Sequence, residues 1–337
     1  MTVSRLVSVS AALIGAVLIS RADDSVLLQV DATNLVNYVL DTPDVSKYGT
    51  LAGPATPSVT GRPFLSAMIV GDIIAVNGKP AKGIWLARNF QFNHSTAPSS
   101  GQNIADINRS GFFEQIFEIL QPDGSTVGTL YSTGMSGGPI PPGAPATFPT
   151  GAYAVTGGTG AWFGVRGETT NLVRLPEATL TFRNASATED PANRRVLGGG
   201  GPVRIQFRLI PAERPAVTVV NGVPAIARAS DGKLISASNP AAAGDILTLY
   251  ATGLGPVRPT PNPGQPFGSN PLHVASVPID VTIDGAPAEV MYAGGYPGTT
   301  GTYQINFRVP SGLTAGSGDV IVSSAWVPSV AVPLAIR

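Results

Sequence analysis

The chain has 337 residues, of which 40 are glycine and 31 proline, together about a fifth, while charged residues make up only 12%, roughly half the ~25% usual in globular domains. Lys+Arg and Asp+Glu both number 21, so there is no basic footprint for nucleic acid and no polybasic patch for a membrane surface. A hydrophobic share of 43% excludes wholesale disorder, and the length suggests two domains, each with its own core.

From the N-terminus, Arg5 is followed by a charge-free run from Leu6 to Ser20, closed by Arg21. The run is short for a membrane span, which needs roughly 20 apolar residues, and fits the core of a signal peptide. Small residues at Ser20 and Ala22 place a cut after Ala22, so residues 1–22 are expected to be a signal peptide and the protein to be secreted. The chain has no cysteine. That excludes disulfides, thiol catalysis and cysteine-bound metal, and leaves stability to the cores. Residues 23–61 read as an N-terminal extension, within which Asp31 to Leu40 is the one stretch with the pattern of a short helix.

Beyond it, alternation with period two dominates. Phe90 and Phe92 alternate with Asn89, Gln91 and Asn93; Leu180 and Phe182 alternate with Thr179, Thr181 and Arg183. Val203, Ile205, Phe207 and Leu209 alternate with Arg204, Gln206 and Arg208, and Tyr303, Ile305, Phe307 and Val309 repeat the pattern. Successive side chains of a strand point to opposite faces, so these segments are predicted strands. Asn77-Gly78, Asp123-Gly124, Asp231-Gly232 and Asp284-Gly285 supply hairpin turns. Proline-rich loops are predicted at Gly137 to Pro149 and at Gly255 to Pro271. Pro211 to Pro215 forms a stiff linker between a barrel domain (62–210) and a second β-domain (216–337). The predicted class is all-β.

Two segments carry resemblances. Ala152-Tyr153-Ala154-Val155-Thr156-Gly157-Gly158-Thr159-Gly160-Ala161-Trp162-Phe163-Gly164-Val165-Arg166-Gly167, preceded by the Gly111 to Leu120 strand, resembles the allene oxide cyclase/dirigent barrel superfamily. The resemblance spans roughly residues 62–210 and implies an antiparallel β-barrel with a small apolar ligand inside. It also implies self-association, since such barrels often form trimers or dimers. The paired acidic residues that dirigent proteins carry near the first barrel strand are missing, so phenol-coupling chemistry is not carried over. In the second domain, Gly244 to Gly255, the Val281 to Val290 hairpin and Tyr303-Gln304-Ile305-Asn306-Phe307-Arg308-Val309-Pro310 resemble the Solibacter-type C-terminal domain of bacterial secreted proteins. They are also similar to TIG/IPT-type Ig folds. That resemblance implies an Ig-like sandwich used for contacts with a cell-surface or extracellular partner.

Several motifs carry less than they suggest. Gly157-Gly158-Thr159-Gly160 lacks the following helix that a phosphate loop needs, so Gly157, Gly158 and Gly160 are read as a structural turn. Gly134-Met135-Ser136-Gly137-Gly138-Pro139 resembles the nucleophile loop of chymotrypsin-like proteases, with His94 and Asp106 in the right chain order. Only 42 residues separate His94 from Ser136, too few for two barrels meeting at a triad. His94 and His273 lack ligand-spaced partners, and nothing indicates calcium at Asp280 and Asp284, so no metal and no cofactor is expected. Asn93, Asn108 and Asn184 fit the glycosylation pattern.

Glu114 and Glu118 share one strand face, opposite Phe113, Phe117 and Ile119. That face is either a solvated exterior or the barrel mouth, where burial would raise a carboxyl pKa. With Arg166 and Asp106 they form the candidate ligand-binding set. The leading expectation is a non-enzymatic binding or structural protein. The alternatives are a barrel isomerase or cyclase acting on an unsaturated lipid or phenolic, and a carbohydrate or cell-surface adhesin using Trp326 or Tyr296.

Overall fold

The computed structural model describes residues 25–40, 64–92, 110–136, 152–169, 173–176, 183–186 and 199–337. The signal-peptide stretch, the Gly137 to Pro149 loop, the alternation at Leu180 and Phe182, and His94, Asp106, Asn93 and Asn108 lie outside them.

Eight strands form a closed antiparallel barrel: β1 (Val26–Leu40), β2 (Phe64–Val76), β3 (Lys82–Phe92), β4 (Ser110–Leu120), β5 (Thr126–Ser136), β6 (Ala152–Gly158), β7 (Arg166–Thr169) and β8 (Val203–Ile210). Neighbours follow the ring β1, β8, β7, β6, β5, β4, β3, β2, and β1 pairs β2 to close it. The predicted helix at Asp31 to Leu40 is therefore corrected: these residues belong to a barrel stave. Bulges between Asp31 and Ala32 and between Thr33 and Val36, with Asn34 at φ 54°, break the register of β1. Such bulges bend a strand around a barrel and blur its alternation, which left a pattern resembling a helical one.

Inside the barrel the period-two rule builds a packed lumen. Trp85 stacks on Phe117 with ring centroids 5.7 Å apart, and Phe117 meets Phe207 edge-on at 4.8 Å. Leu28, Val30, Ile119, Leu130, Ile205 and Leu209 fill the space around them and are buried. Offset and edge-on aromatic pairs add about 0.5–1.5 kcal/mol each to burial. On the face of β1 turned away from the lumen, Asp31, itself buried, accepts two hydrogen bonds from Arg204 of the neighbouring strand, at 2.6 and 2.8 Å.

The second sheet is built mainly from β9 (Ile246–Thr252), β10 (Ile279–Ile283), β11 (Ala286–Gly295), β12 (Tyr303–Arg308), β13 (Gly316–Ser324) and β14 (Val332–Ile336). β11 pairs β10 through Ala286–Ala288 and β12 through its remainder. The sheet thus curls, and its halves enclose a second core of Leu247, Leu249, Ile305 and Phe307 against Val281, Ile283, Val320, Val322 and Leu334. The Gly255 to Pro271 loop is ordered over this sheet. Phe267 is buried against Tyr303, and the His273 ring Nδ1 lies 2.5 Å from the Pro259 carbonyl oxygen.

The second sheet caps one barrel end. A single 3₁₀ turn, Gly160–Trp162, joins β6 to β7. Its Trp162 stacks on Trp326, with centroids 6.1 Å apart and planes within 17°. Val277, Ala325 and Trp326 pack into the barrel core. Around this plug, Lys79 pairs with Asp280 at 2.6 Å, and Gln121 Nε2 donates to the Ser276 carbonyl at 3.0 Å.

Trp326 occupies an unusual position. Ser324 pairs with Val327, so Ala325 and Trp326 form a two-residue turn with φ of 45° and 64°. Two-residue hairpin loops with both φ positive normally use Asn-Gly or Asp-Gly. This chain follows that rule at Asn77-Gly78, Asn221-Gly222 and Asp284-Gly285. At Ala325-Trp326 the backbone cost of the left-handed region, roughly 1–2 kcal/mol per residue, is offset by burying the indole on the barrel.

Candidate functional site

Toward the barrel end away from the second sheet, the lumen changes character. Asn89 on β3, Gln115 on β4, Ser132 on β5 and Thr169 on β7 are all buried. Strand pairing fixes their places. Gln115 lies opposite Ser132 and opposite Ala87, two residues from Asn89, while Thr169 lies opposite both Tyr153 and Phe207. Directly paired residues on one face have Cβ atoms about 4.5–5.5 Å apart. Gln115 and Ser132 are paired directly and Asn89 lies on the diagonal from Gln115, so these three form a neutral polar layer seated on the Trp85 and Phe117 stack, while Thr169 lies across β6 from them, beside Phe207.

Two of the four are satisfied internally. Trp85 Nε1–H donates to Gln115 Oε1 at 3.2 Å, and the Thr169 hydroxyl donates to the Gln206 carbonyl at 3.1 Å. The other two are not: Asn89 Oδ1 and Ser132 Oγ are buried without a hydrogen-bond partner among the described residues, in side chains only 3% exposed. Leaving a buried polar atom unpaired costs about 1–3 kcal/mol. Two such atoms in one layer leave hydrogen bonds for a partner to complete, and Trp162 Nε1, Tyr292 Oη and Trp326 Nε1 are buried unpaired elsewhere among the described residues.

The residues predicted for the site lie elsewhere. Glu114 and Glu118 face outward on β4 and are exposed, with Glu114 ion-paired to Arg88 at 2.5 Å. Arg166, at the start of β7, is exposed as well, and Asp106 is outside the described residues. The lumen reading of Glu114, Glu118 and Arg166 is thus replaced by the solvated-exterior alternative. The reason is period two: Phe113, Phe117 and Ile119 claim the interior of β4, which turns both glutamates out.

The same rule explains what the sequence reading missed. In β3 the apolar faces of Phe90 and Phe92 suggested an inward Phe90. The structure inverts this, because Trp85 fixes the register at the barrel centre and carries Ala87 and Asn89 inward, leaving Phe90 exposed. The one available signal was the spacing of Trp85, Ala87 and Asn89.

Of the predicted turn glycines, two are sterically required. A Cβ on Gly158 would lie 2.6 Å from the Trp162 carbonyl oxygen and 2.8 Å from that of Thr129. Gly160 sits at φ 62° against the Val127 carbonyl, whereas a Cβ on Gly157 would meet nothing. The motif thus serves to set Trp162 under the second sheet. Where barrel and sheet meet, a cleft of about 350 Å³ runs beside Ala161, Phe163, Pro211, Glu213 and Val327. In the adjoining hollow Tyr303 donates to the Gly255 carbonyl at 2.6 Å. Burial pushes the Tyr303 phenol above its ordinary pKa, and the charge of Glu213 adds to the rise.

Trp326 and Tyr296, the candidate sugar platforms, differ in access. Trp326 is buried in the junction, while Tyr296 is partly exposed and packs edge-on against Tyr250. Among the described residues no three metal-ligating side chains cluster. Comparison of the chain with family models, curated proteins and solved structures finds no match.

Proposed function

We propose that this chain is a secreted, non-enzymatic binding and structural protein. Its barrel holds a small, largely apolar ligand at the polar layer, and its second, Ig-like sheet serves as an interaction module toward an extracellular partner. The observation that carries the reading is the pair of buried, unpartnered atoms Asn89 Oδ1 and Ser132 Oγ above an aromatic floor. Barrels of this strand number either fill their interior with side chains, as the Trp85, Phe117 and Phe207 half does here, or hold one small ligand, and apolar walls with a few placed polar groups are the usual make-up of such sites. Asn89 Oδ1 is an acceptor and Ser132 both donates and accepts, so the ligand is a neutral molecule with a hydroxyl or similar donor on an apolar body. The resemblance of residues 152–167 to the allene oxide cyclase/dirigent superfamily supports the same ligand class. Secretion rests on the Arg5 to Ala22 stretch.

The test is a thermal-shift panel on the full chain with hydroxylated unsaturated fatty acids, phenolics and oligosaccharides. The full chain is needed because Trp326 and Val277 complete the barrel core. A lipid or phenolic at a hundred times its Kd should add about 2.7 kcal/mol of stability, and Asn89→Leu should remove that gain. A shift retained in Asn89→Leu, or one produced only by oligosaccharides, would overturn the barrel site.

A further inference from the structure

The cleft between the barrel and the second sheet is walled by Ala161, Pro211 and Val327 and carries two side chains that packing does not account for. Phe163, which follows the 3₁₀ turn, is 81% exposed, the most exposed large apolar side chain among the described residues. Glu213 lines the same cleft and the adjoining hollow beside Tyr303. Among the described residues no hydrogen bond or ion pair occupies its carboxylate. Its charge is felt by the Tyr303 phenol, which places the carboxylate toward the junction. The backbone that carries Glu213 is clamped on both sides. A Cβ on Gly164 would lie 3.0 Å from the Ala212 Cβ, and one on Gly253 would lie 2.4 Å from the Arg214 carbonyl oxygen. Pro215 is buried, and Ala216 and Val217 pair with Thr252 and Ala251 of β9. A segment held in this way loses little further freedom when a ligand binds to it.

We propose that this cleft binds a small organic cation, an ammonium or guanidinium group on an apolar body. The carboxylate is an acceptor only and attracts the positive group. A phenyl face within about 6 Å of such a group adds a cation–π attraction, and the apolar walls cover the body. At about 350 Å³ the cleft is at the small end of the range for ligand sites, and it lies between two folded units, where such sites concentrate. An anion is disfavoured, since Glu213 is the one charged side chain lining this cleft among the described residues, and Arg214 lines the hollow alone. A single carboxylate is also a poor calcium site, because calcium takes about 6–8 oxygen ligands. The cleft is separate from the polar layer in the barrel and does not rest on a ligand there.

Nuclear magnetic resonance titration of the full chain with benzyltrimethylammonium tests this, with benzyl alcohol and benzoate as neutral and anionic counterparts. The cation should shift the amide signals of Gly160, Gly164, Gly253 and Gly255 saturably below about 10 mM. Benzyl alcohol should bind about fivefold more weakly for want of the ion pair, and benzoate should not bind. Glu213→Gln should weaken the cation about fivefold. Phe163→Leu, which keeps an apolar side chain but removes the ring, should weaken it about threefold. Both side chains are exposed, so neither variant should alter the melting temperature. The absence of saturable shifts at these glycines overturns the proposal. So does equal binding of benzyl alcohol, or a cation affinity unchanged in Glu213→Gln. Shifts confined to Asn89 and Ser132 would place the cation in the barrel and overturn it as well.

Discussion

Replacing Trp326 by glycine should move the two halves of the molecule in opposite directions. The indole is 8% exposed and belongs to the barrel core, although its backbone lies in the second sheet. Truncating a buried aromatic costs about 3–5 kcal/mol, and the loss falls on the barrel, whose Trp162 is left without its stacked partner. The second sheet loses little core of its own. It gains the relief of a left-handed backbone at φ 64°, about 1–2 kcal/mol, because glycine adopts that conformation freely. For units of this size, 1 kcal/mol corresponds to about 2–4 °C. The barrel transition should therefore fall by about 6–20 °C, while that of the second sheet holds or rises by a few degrees. Differential scanning calorimetry, with the near-ultraviolet signal of Trp85 and Trp162 reporting on the barrel, separates the two. If the barrel transition is unmoved, or if the second sheet falls with it, the capping account is wrong.

Other consequences follow from single positions. Gly158→Ala should cost about 1–3 kcal/mol, since its Cβ would run into two backbone carbonyls, whereas Gly157→Ala should leave the melting temperature unchanged. Without ligand, Ser132→Ala should be neutral or stabilising by about 1 kcal/mol, because it removes an unpaired buried hydroxyl; a clear loss of stability in urea unfolding would mean that Oγ already has a partner. Arg166→Ala should leave ligand affinity unaltered in titration calorimetry, because Arg166 is on the outside. In the second sheet, Arg228 donates to Asp245 at 3.0 Å and to Asn239 and Pro240 at 2.7 Å. Burial alone would push the Asp245 carboxyl pKa up, but the Ala242 N–H and Arg228 outweigh it and hold the pKa below its ordinary value. A carboxyl lowered in the folded state stabilises above its unfolded pKa of ~3.9 and loses that contribution as pH falls through the lower folded value. Arg228→Met should shrink this acid-side loss, since only the Ala242 N–H then holds the carboxylate directly, and cost roughly 2–3 kcal/mol at neutral pH, both readable from urea unfolding against pH.

The all-β class, the hairpin turns and the strands of strong alternation were legible because period two and Asn-Gly or Asp-Gly pairs report local geometry. Val203 to Leu209 and Tyr303 to Val309 pack inward as the pattern requires. β1 was not legible because its bulges interrupt the alternation. The site was legible only in part. Which face of a strand turns inward depends on its neighbours in the ring, and the only local signal that told Asn89 from Phe90 was the spacing of Asn89 from Trp85 and Ala87. Glu114 and Glu118 drew attention through their charge, yet the packing of Phe113 and Phe117 settled their direction. The pairing of Trp162 with Trp326 joins residues far apart in the chain, so nothing local announced it. The positive φ values at Ala325 and Trp326 disclose it only once the turn is seen.

The polar layer can be questioned most directly through Trp85, which lies beneath it and donates to Gln115. With Trp162 and Trp326 both replaced by phenylalanine, Trp85 is the sole tryptophan, and its fluorescence can be followed as a hydroxylated unsaturated fatty acid or phenolic is added. The account predicts a saturable change in Trp85 emission that Asn89→Leu abolishes. Emission that stays constant while calorimetry records binding would place the ligand elsewhere and contradict the barrel site.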